Sequence, residues 1–369
     1  DEIHVTTSSS TINTDQTWPA LNVPYLMGSA NYTVSAALTI APGTEFRFPS
    51  GGALDVNGSA NGSMSAVGTV DQPILFTGVS KTPGSWSGVD FRYTNNSNNV
   101  LDYVTIEYGG DSAISANLTT TANSSSITRL AISNTTLRNG LGYGLSIDPY
   151  TNLGVNGLSN VVITGNGEYP VDIPANLIGY LDPNSDYTGN GINNDKDEIH
   201  VTTSSSTINT DQIWPALNVP YLMGSANYTV SAALTIAPGT EFRFPSGGAL
   251  DVNGSANGSM SAVGTVDQPI LFTSVNQTPG DWSGIDFRYT SSINNVLDYV
   301  IVEFGGGGVT SGGDLTLTSN TSSPTTVTVT NSAFNNSSGY GIVLSSSGST
   351  LTSSNNTFSS NVSGDIFAP

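Results

Sequence analysis

Cysteine is absent from the 369 residues, which excludes disulfides, thiolate metal sites and cysteine nucleophiles. Basic side chains are almost as scarce: 8 Lys and Arg against 28 Asp and Glu leave a net charge of −20. Such a surface repels phosphate backbones and anionic headgroups, so nucleic acid and membrane surfaces are not expected partners. No apolar run approaches the ~20 residues that span a bilayer, so no membrane insertion is expected either. Only two histidines occur, and charged residues make up 10% of the chain, where about a quarter is usual. Good helix formers are few, and no 3.6-residue periodicity runs beyond about two turns.

What is present is Ser, Thr, Asn and 41 Gly, a composition suited to short strands and tight turns. The chain is also written twice. Asp1-Glu2-Ile3-His4-Val5-Thr6-Thr7 returns as Asp197-Glu198-Ile199-His200-Val201-Thr202-Thr203, and the copies stay almost identical past Tyr103 and Tyr299. Duplicating an enzyme adds a second site, whereas duplicating a module of a stalk lengthens it. Unit 1 is placed at 1–181, an Asp/Asn/Gly-rich connector at 182–196, and unit 2 at 197–369. The chain opens directly in a repeat with no signal peptide, as a mature or excised form would.

Within a unit, apolar–other–apolar triplets follow one another closely: Leu38-Thr39-Ile40, Phe46-Arg47-Phe48, Leu54-Asp55-Val56, Ile74-Leu75-Phe76 and Val89-Asp90-Phe91. Turns such as Ala41-Pro42-Gly43-Thr44 separate them. Three such strands per turn of about 20 to 25 residues would coil into a parallel solenoid. Leu38, Ile40, Phe46, Phe48, Leu54, Val56, Ile74 and Phe76 would then point inward, with Leu234, Ile236, Phe242, Phe244, Leu250, Val252, Ile270 and Phe272 as their second copies. Arg47, Asp55 and Asp90 would point out. Asn134, Asn331 and Asn356 recur at matching turns, as in a ladder of asparagines bonded from rung to rung. A pair of antiparallel β-sandwiches is the structural alternative.

The run from Pro42-Gly43-Thr44 through Gly52-Ala53-Leu54-Asp55-Val56 to Asp71-Gln72-Pro73-Ile74-Leu75-Phe76-Thr77 resembles the right-handed parallel β-helix repeats of microbial surface proteins. So do Trp86-Ser87-Gly88-Val89-Asp90-Phe91 and Leu101-Asp102-Tyr103-Val104-Thr105-Ile106-Glu107-Tyr108-Gly109-Gly110. The resemblance covers most of both units. It implies an all-β, pectin-lyase-like superfold and an extracellular or cell-surface setting. That superfold hosts lyases, hydrolases, adhesins and tailspikes, so it does not choose a function.

Sites are thinly marked. Asp182, Asn184, Asp186 and Asn190 place oxygens at alternate positions, as a Ca²⁺ loop does, and Asp195, Asp197 and Glu198 stand near enough in sequence to add ligands. Calcium is the one cofactor this pattern admits. It departs from an EF-hand at Tyr187, where Gly belongs, and at Asn193, where a bidentate Glu belongs; an acidic inter-unit turn is the alternative. Sequons recur at Asn31, Asn57, Asn61, Asn95, Asn117, Asn123, Asn134, Asn227, Asn253, Asn257 and Asn276. Asn31, Asn57, Asn61, Asn227, Asn253 and Asn257 are the glycan candidates. His4 and His200 read as solvent-facing strand residues. Arg47/Arg243 and Arg92/Arg288 each follow a carboxylate by two residues, Glu45/Glu241 and Asp90/Asp286, so outward ion pairs explain them. Trp18, Tyr25, Trp86 and Tyr93 form either a sugar-stacking platform or, for Trp86, a cap on the core.

No catalytic residues are expected. The expectation is a non-catalytic structural protein, stacking head to tail with itself into a filament, sheath or stalk. A glycan-binding adhesin module is the alternative, and a polysaccharide lyase or hydrolase a more distant one.

Overall fold

The computed structural model describes residues 1–111, 115–155, 157–191, 196–308 and 312–369. The chain is built of short strands joined by turns, with a few brief 3-10 turns between them. The ladders between strands are parallel, which rules out the antiparallel sandwich and defines an all-β parallel solenoid. Two compact units are formed, one by residues 1–173 with 180–199 and the other by 174–179 with 200–369.

In the first unit, successive strands fall on three sheets in rotation. Asn31–Val34, Ala37–Ile40 and Glu45–Phe48 lie on three different sheets, and Ala53–Asn57 returns beside Asn31–Val34. The second unit repeats the scheme with Asn227–Val230, Ala233–Ile236 and Glu241–Phe244, and Ala249–Asn253 returns to the first of these. Some rungs keep the 20 to 25 residues expected and others are longer. Ile3 lies beside Tyr25, but Leu54 lies beside Val89, 35 positions on. The excess sits in turns such as 79–87, which carry side chains back onto the core.

Parallel pairing in register puts like on like. One inward column of the first unit runs Tyr25, Phe46, Phe76, Ile106, Leu137, Ile163. Phe46 and Phe76 stack at 5.0 Å and 14°. The second unit has Tyr221, Phe242, Phe272, Val302, Phe334 and Phe358 in the same order. All sixteen residues expected in the core are buried. Burying each such side chain contributes about 1.5–3 kcal/mol.

Trp86 caps the core, as one of the two readings had it. It is fully buried, lies 4.3 Å from Phe48 at 13°, and donates its Nε1–H to the Glu107 carbonyl at 2.9 Å. Trp282 repeats this on Phe244 and Glu303. Gly142-Tyr143-Gly144 and its second copy Gly339-Tyr340-Gly341 have a steric cause: a Cβ on Gly142 would stand 2.0 Å from the Ser115 carbonyl oxygen, and one on Gly339 1.8 Å from that of Gly312.

Among the described residues asparagines ladder in two places, on the surface and in the core, and the surface ladder differs from expectation. On the surface, Asn160 Nδ2 donates to Asn134 Oδ1 at 2.7 Å, and Asn355 Nδ2 to Asn331 Oδ1 at 3.2 Å. All four residues hold a left-handed φ between 46° and 57°, a conformation Asn tolerates. Asn356 is therefore not the rung partner of Asn331; Asn355 is. Asn356 instead donates to the Val329 carbonyl at 2.9 Å and accepts from Ser332 N–H. The second ladder is buried: Asn117 Nδ2 donates to Asn166 Oδ1 at 2.9 Å, and Asn166 Nδ2 to Asn190 Oδ1 at 3.0 Å.

Residues 182–191, read from sequence as part of a connector, lie along 161–166 as a partial rung. Ile163 N–H donates to the Asp186 carbonyl, Gly165 N–H to Gly189, and Gly191 N–H to Asn166.

A carboxylate-lined groove as the candidate site

Strands Asn31–Val34, Ala53–Asn57, Gly88–Arg92 and Ala116–Thr121 lie side by side in the first unit. Alternation sends Leu54 and Val89 inward and the residues after them to the outer face. Register then aligns Thr33, Asp55, Asp90 and Thr119 in one outer row. Gly88 at φ 113° admits the Ala116 carbonyl, which would lie 2.7 Å from a Cβ there. These strands and the flanking turns line a groove of about 450 Å³ that includes Asn31, Asp55, Asp90, Arg92, Asp111 and Thr121.

Asp55 and Asp90 were expected to point out; they face outward but are covered, at 5% and 3% exposure. The cover comes from neighbouring strands. Arg92 Nε lies 2.9 Å from Asp90 Oδ2, and Arg92 Nη1 lies 3.4 Å from Asp55 Oδ2. Asn31 Nδ2 donates to Asp55 Oδ2 at 2.6 Å, and Thr121 Oγ1 lies 3.0 and 3.1 Å from the two Asp90 oxygens. Ser87 Oγ donates to Asp111 Oδ2 at 2.8 Å. Burial pushes the Asp90 carboxyl up to about 7, against the pull of Arg92 and Thr121, with Asp55 and Asp148 adding to the rise. Near neutral pH it is thus part protonated, donor as well as acceptor.

The second copy keeps the arrangement. Arg288 Nε lies 2.8 Å from Asp286 Oδ2 and 3.2 Å from Asp251 Oδ2, and Asn227 donates to Asp251 at 2.7 Å. Burial lifts Asp286 to about 6, partly offset by Arg288 and Thr318.

The expected outward ion pairs are therefore made: Arg92–Asp90, Arg288–Asp286, Arg47–Glu45 at 2.7 Å and Arg243–Glu241 at 2.6 Å. Arg47 also reaches Glu2 at 3.1 Å. The fold brings Asp55, Asp90 and Asp111 to the lining of one groove. The signal available was the Asp at the centre of Leu54-Asp55-Val56 and Val89-Asp90-Phe91. Asp111 and Asn31, from a turn and a distant strand, carried none.

The candidate calcium residues have separate engagements. Asp182 accepts from Asn160 N–H, Asn184 N–H and Asn184 Nδ2, and Asp186 accepts from Thr188 N–H and Oγ1. Asn184 is exposed and bonded to Asp182. Asn190 is fully buried; its amide donates to Ile163 and Tyr187 carbonyls while its Oδ1 accepts from Asn166. Asp197 accepts from Asn190 N–H at 2.7 Å. Asn193 and Asp195 lie outside the described residues. Among the described residues no group of three or more His, Asp or Glu side chains is placed to hold a metal.

Of the glycan candidates, Asn31 and Asn227 are tied to Asp55 and Asp251, and Asn57 and Asn253 accept from Ser59 and Ser255 N–H in tight turns. Asn61 and Asn257 are exposed. His4 is exposed. Trp18 and Tyr25 stack at 5.6 Å and both approach Phe46, so these rings belong to the core column rather than to an open platform. Tyr93 sits in a turn at φ 52°.

Fold and groove together define a parallel β-solenoid with a polar, carboxylate-rich outer face. No protein-family model, curated protein or solved structure matches the chain. Among the described residues no helix is long and apolar enough to cross a membrane.

Proposed function

We propose that the chain is a non-catalytic structural element of an extracellular or cell-surface filament, sheath or stalk. In this reading right-handed parallel β-helix units stack head to tail. The observation that supports it best is what the two copies keep. The same aromatic column, tryptophan cap and arginine–carboxylate pairs recur at the same register in both. These groups hold rungs together and leave little chemistry unengaged. In a solenoid each rung depends on its neighbours, so further units of the same kind add to the stack on the same terms. A strand edge left uncovered offers its unpaired N–H and C=O groups to a second copy, and a heterologous joint of that kind would give an open fibre.

Electron microscopy of the purified polypeptide across a concentration series tests this. Linear polymers are expected, and deletion of residues 1–5 should block them while leaving the subunit folded. A chain that stays monomeric at high concentration sinks the filament reading. Incubation with pectins, alginates and β-glucans should give no turnover; turnover lost on Arg92→Ala would make the groove an active site.

The groove favours a second reading, a glycan-binding module. Asn31, Asp55, Asp90 and Arg92 offer both donors and acceptors along one face. Binding of neutral oligosaccharides that weakens at least tenfold in Arg92→Ala would support it.

A further inference from the structure

Asp314 is fully buried in the second unit, on the strand Gly313–Thr318. Its Oδ1 accepts from Gly305 N–H at 2.8 Å, and its Oδ2 has no hydrogen-bond partner. The same place in the first unit holds Asn117, also fully buried, whose Oδ1 accepts from Gly109 N–H at 2.8 Å. There the other side-chain atom is an amide nitrogen. It donates to the Arg138 carbonyl at 3.1 Å and to Asn166 Oδ1 at 2.9 Å. The second unit keeps the groups that receive those bonds: Asn335 stands in the register of Arg138, and Asn361 plays the part of Asn166. Asn361 accepts from Ser337 N–H and donates to the Phe334 carbonyl, as Asn166 accepts from Gly140 N–H and donates to Leu137. The site is thus built for a donor, and an ionised carboxylate has none.

We propose that Asp314 is held as a neutral carboxylic acid whose Oδ2–H supplies the donor that the Asn117 amide supplies, making this rung of the second unit an alkaline-sensitive latch. Ionisation leaves an uncompensated buried charge against carbonyl oxygens, and the rung opens to hydrate it. The surrounding charges favour the neutral form. Burial is the first cause of the raised pKa of Asp314, and Glu303, on the strand before the Gly305 turn, is the charged group that adds to it, against the pull of the Gly305 and Asn335 backbones. Asp286 and Arg288 on the neighbouring strand pair with Thr316 and Thr318, further along, and are bonded to each other. Tyr340 partners Gly313 on the other side. The strands Ala333–Asn335, Thr325–Thr330 and Ser349–Ser354 bring no titratable side chain.

The test is residue-resolved. Aspartate-labelled carboxyl NMR of the wild-type chain at pH 8 should show a protonated side-chain signal, absent in Asp314→Asn. Hydrogen exchange at Gly305 and Ser337, corrected for intrinsic rates, should speed up at least tenfold in the wild type as pH rises above neutrality. Asp314→Asn should hold that protection constant, and Asn117→Asp should install the same loss at Gly109 in the first unit. A fully ionised Asp314 at pH 8 with unchanged protection would overturn the latch. So would Asp314→Asn exchanging faster than wild type at every pH. If Asp314→Asn fails to fold, the wild-type carboxyl titration and Asn117→Asp decide.

Discussion

Glu107 in the first unit and Glu303 in the second occupy one place in the fold and live in different company. Each accepts from a threonine hydroxyl at 2.8 Å, Thr77 in one and Thr273 in the other. Glu107 is also held by Arg138 at 2.8 Å and Lys81 at 3.2 Å. The second copy has Asn335 and Gln277 at those positions. Burial alone would raise the Glu107 carboxyl, but the hydrogen bonds from Thr77, Arg138 and Lys81 outweigh it and hold it below its ordinary value. Asn117 and Asp314 are a second such pair. The copies thus agree in Tyr25, Phe46 and Phe76 against Tyr221, Phe242 and Phe272, stay apolar along the rest of the column, and differ in charge outside it. Packing tolerates few changes in a solenoid core, whereas half-exposed cations such as Arg138 and Lys81 can be exchanged for roughly a kcal/mol; the buried Asn117/Asp314 exchange is not of that kind.

The largest expected effect tests the part that agrees. Phe48 and Phe244 are both fully buried and both stack at 4.3 Å on a tryptophan. Phe48→Ala and Phe244→Ala should each cost about 3–5 kcal/mol. Urea denaturation followed by tryptophan fluorescence measures both. A loss under ~1 kcal/mol in either would break the equivalence of the two cores.

Next comes pH. Asp90 rises to about 7 and Asp286 to about 6 through burial, so the folded chain binds protons that the unfolded chain releases. Their contribution is full below the ordinary carboxylate range and is lost as pH climbs from about 4 through 7. Asp90 contributes up to roughly 4 kcal/mol over that window, and Asp286 up to roughly 3. Glu107 works with the opposite sign: its contribution is present above the ordinary carboxylate range and disappears as pH falls through its lowered value. Denaturation midpoints between pH 4 and 8 should therefore decline with rising pH, and Asp90→Asn should flatten the decline. A midpoint that rises over that range would refute the assignment.

Arg138→Asn gives the first unit the residue that the second already has. With the guanidinium half exposed, the loss should be about 1 kcal/mol, and Asn335→Arg should gain less than that. An unchanged midpoint in Arg138→Asn would mean that Lys81 alone satisfies Glu107.

Much of this was legible in the chain. Apolar alternation located all sixteen core positions, because in a parallel stack the inward face is a local property of each triplet. Ion pairs two residues apart on one strand were readable for the same reason. What alternation does not carry is the offset between rungs. Turn 79–87 lengthens one rung to 35 residues and hides which side chains become neighbours. For that reason the approach of Asp55 and Asp90 across turn 79–87 was missed; the pairing of Asn331 with Asn355 rather than Asn356, across a 24-residue rung, turns on a one-residue difference in offset that alternation does not fix. The buried ladder joins residues 24 and 49 positions apart: Asn166 and Asn190 share a Thr-Gly-Asn-Gly run, 164–167 and 188–191, that marks their pairing in the sequence, whereas Asn117 has no such flank.

The smallest effect probes the outermost charges. Arg47 reaches Glu45 at 2.7 Å and Glu2 at 3.1 Å, with its own side chain 37% and theirs 33% and 30% exposed. Water competes at all three groups, and two long side chains lose rotamer freedom to meet. Arg47→Ala should therefore cost under ~1 kcal/mol, and a double-mutant cycle with Glu45→Gln should return a coupling of a few tenths. At 1 M salt, where the screening length is about 3 Å, most of that coupling should vanish. A salt-insensitive coupling above ~1.5 kcal/mol would show that the Arg47 stem packs on the sheet more than its charge pairs. The contrast with Phe48, one residue on and facing the other way, would then shrink from a difference in kind to one of degree.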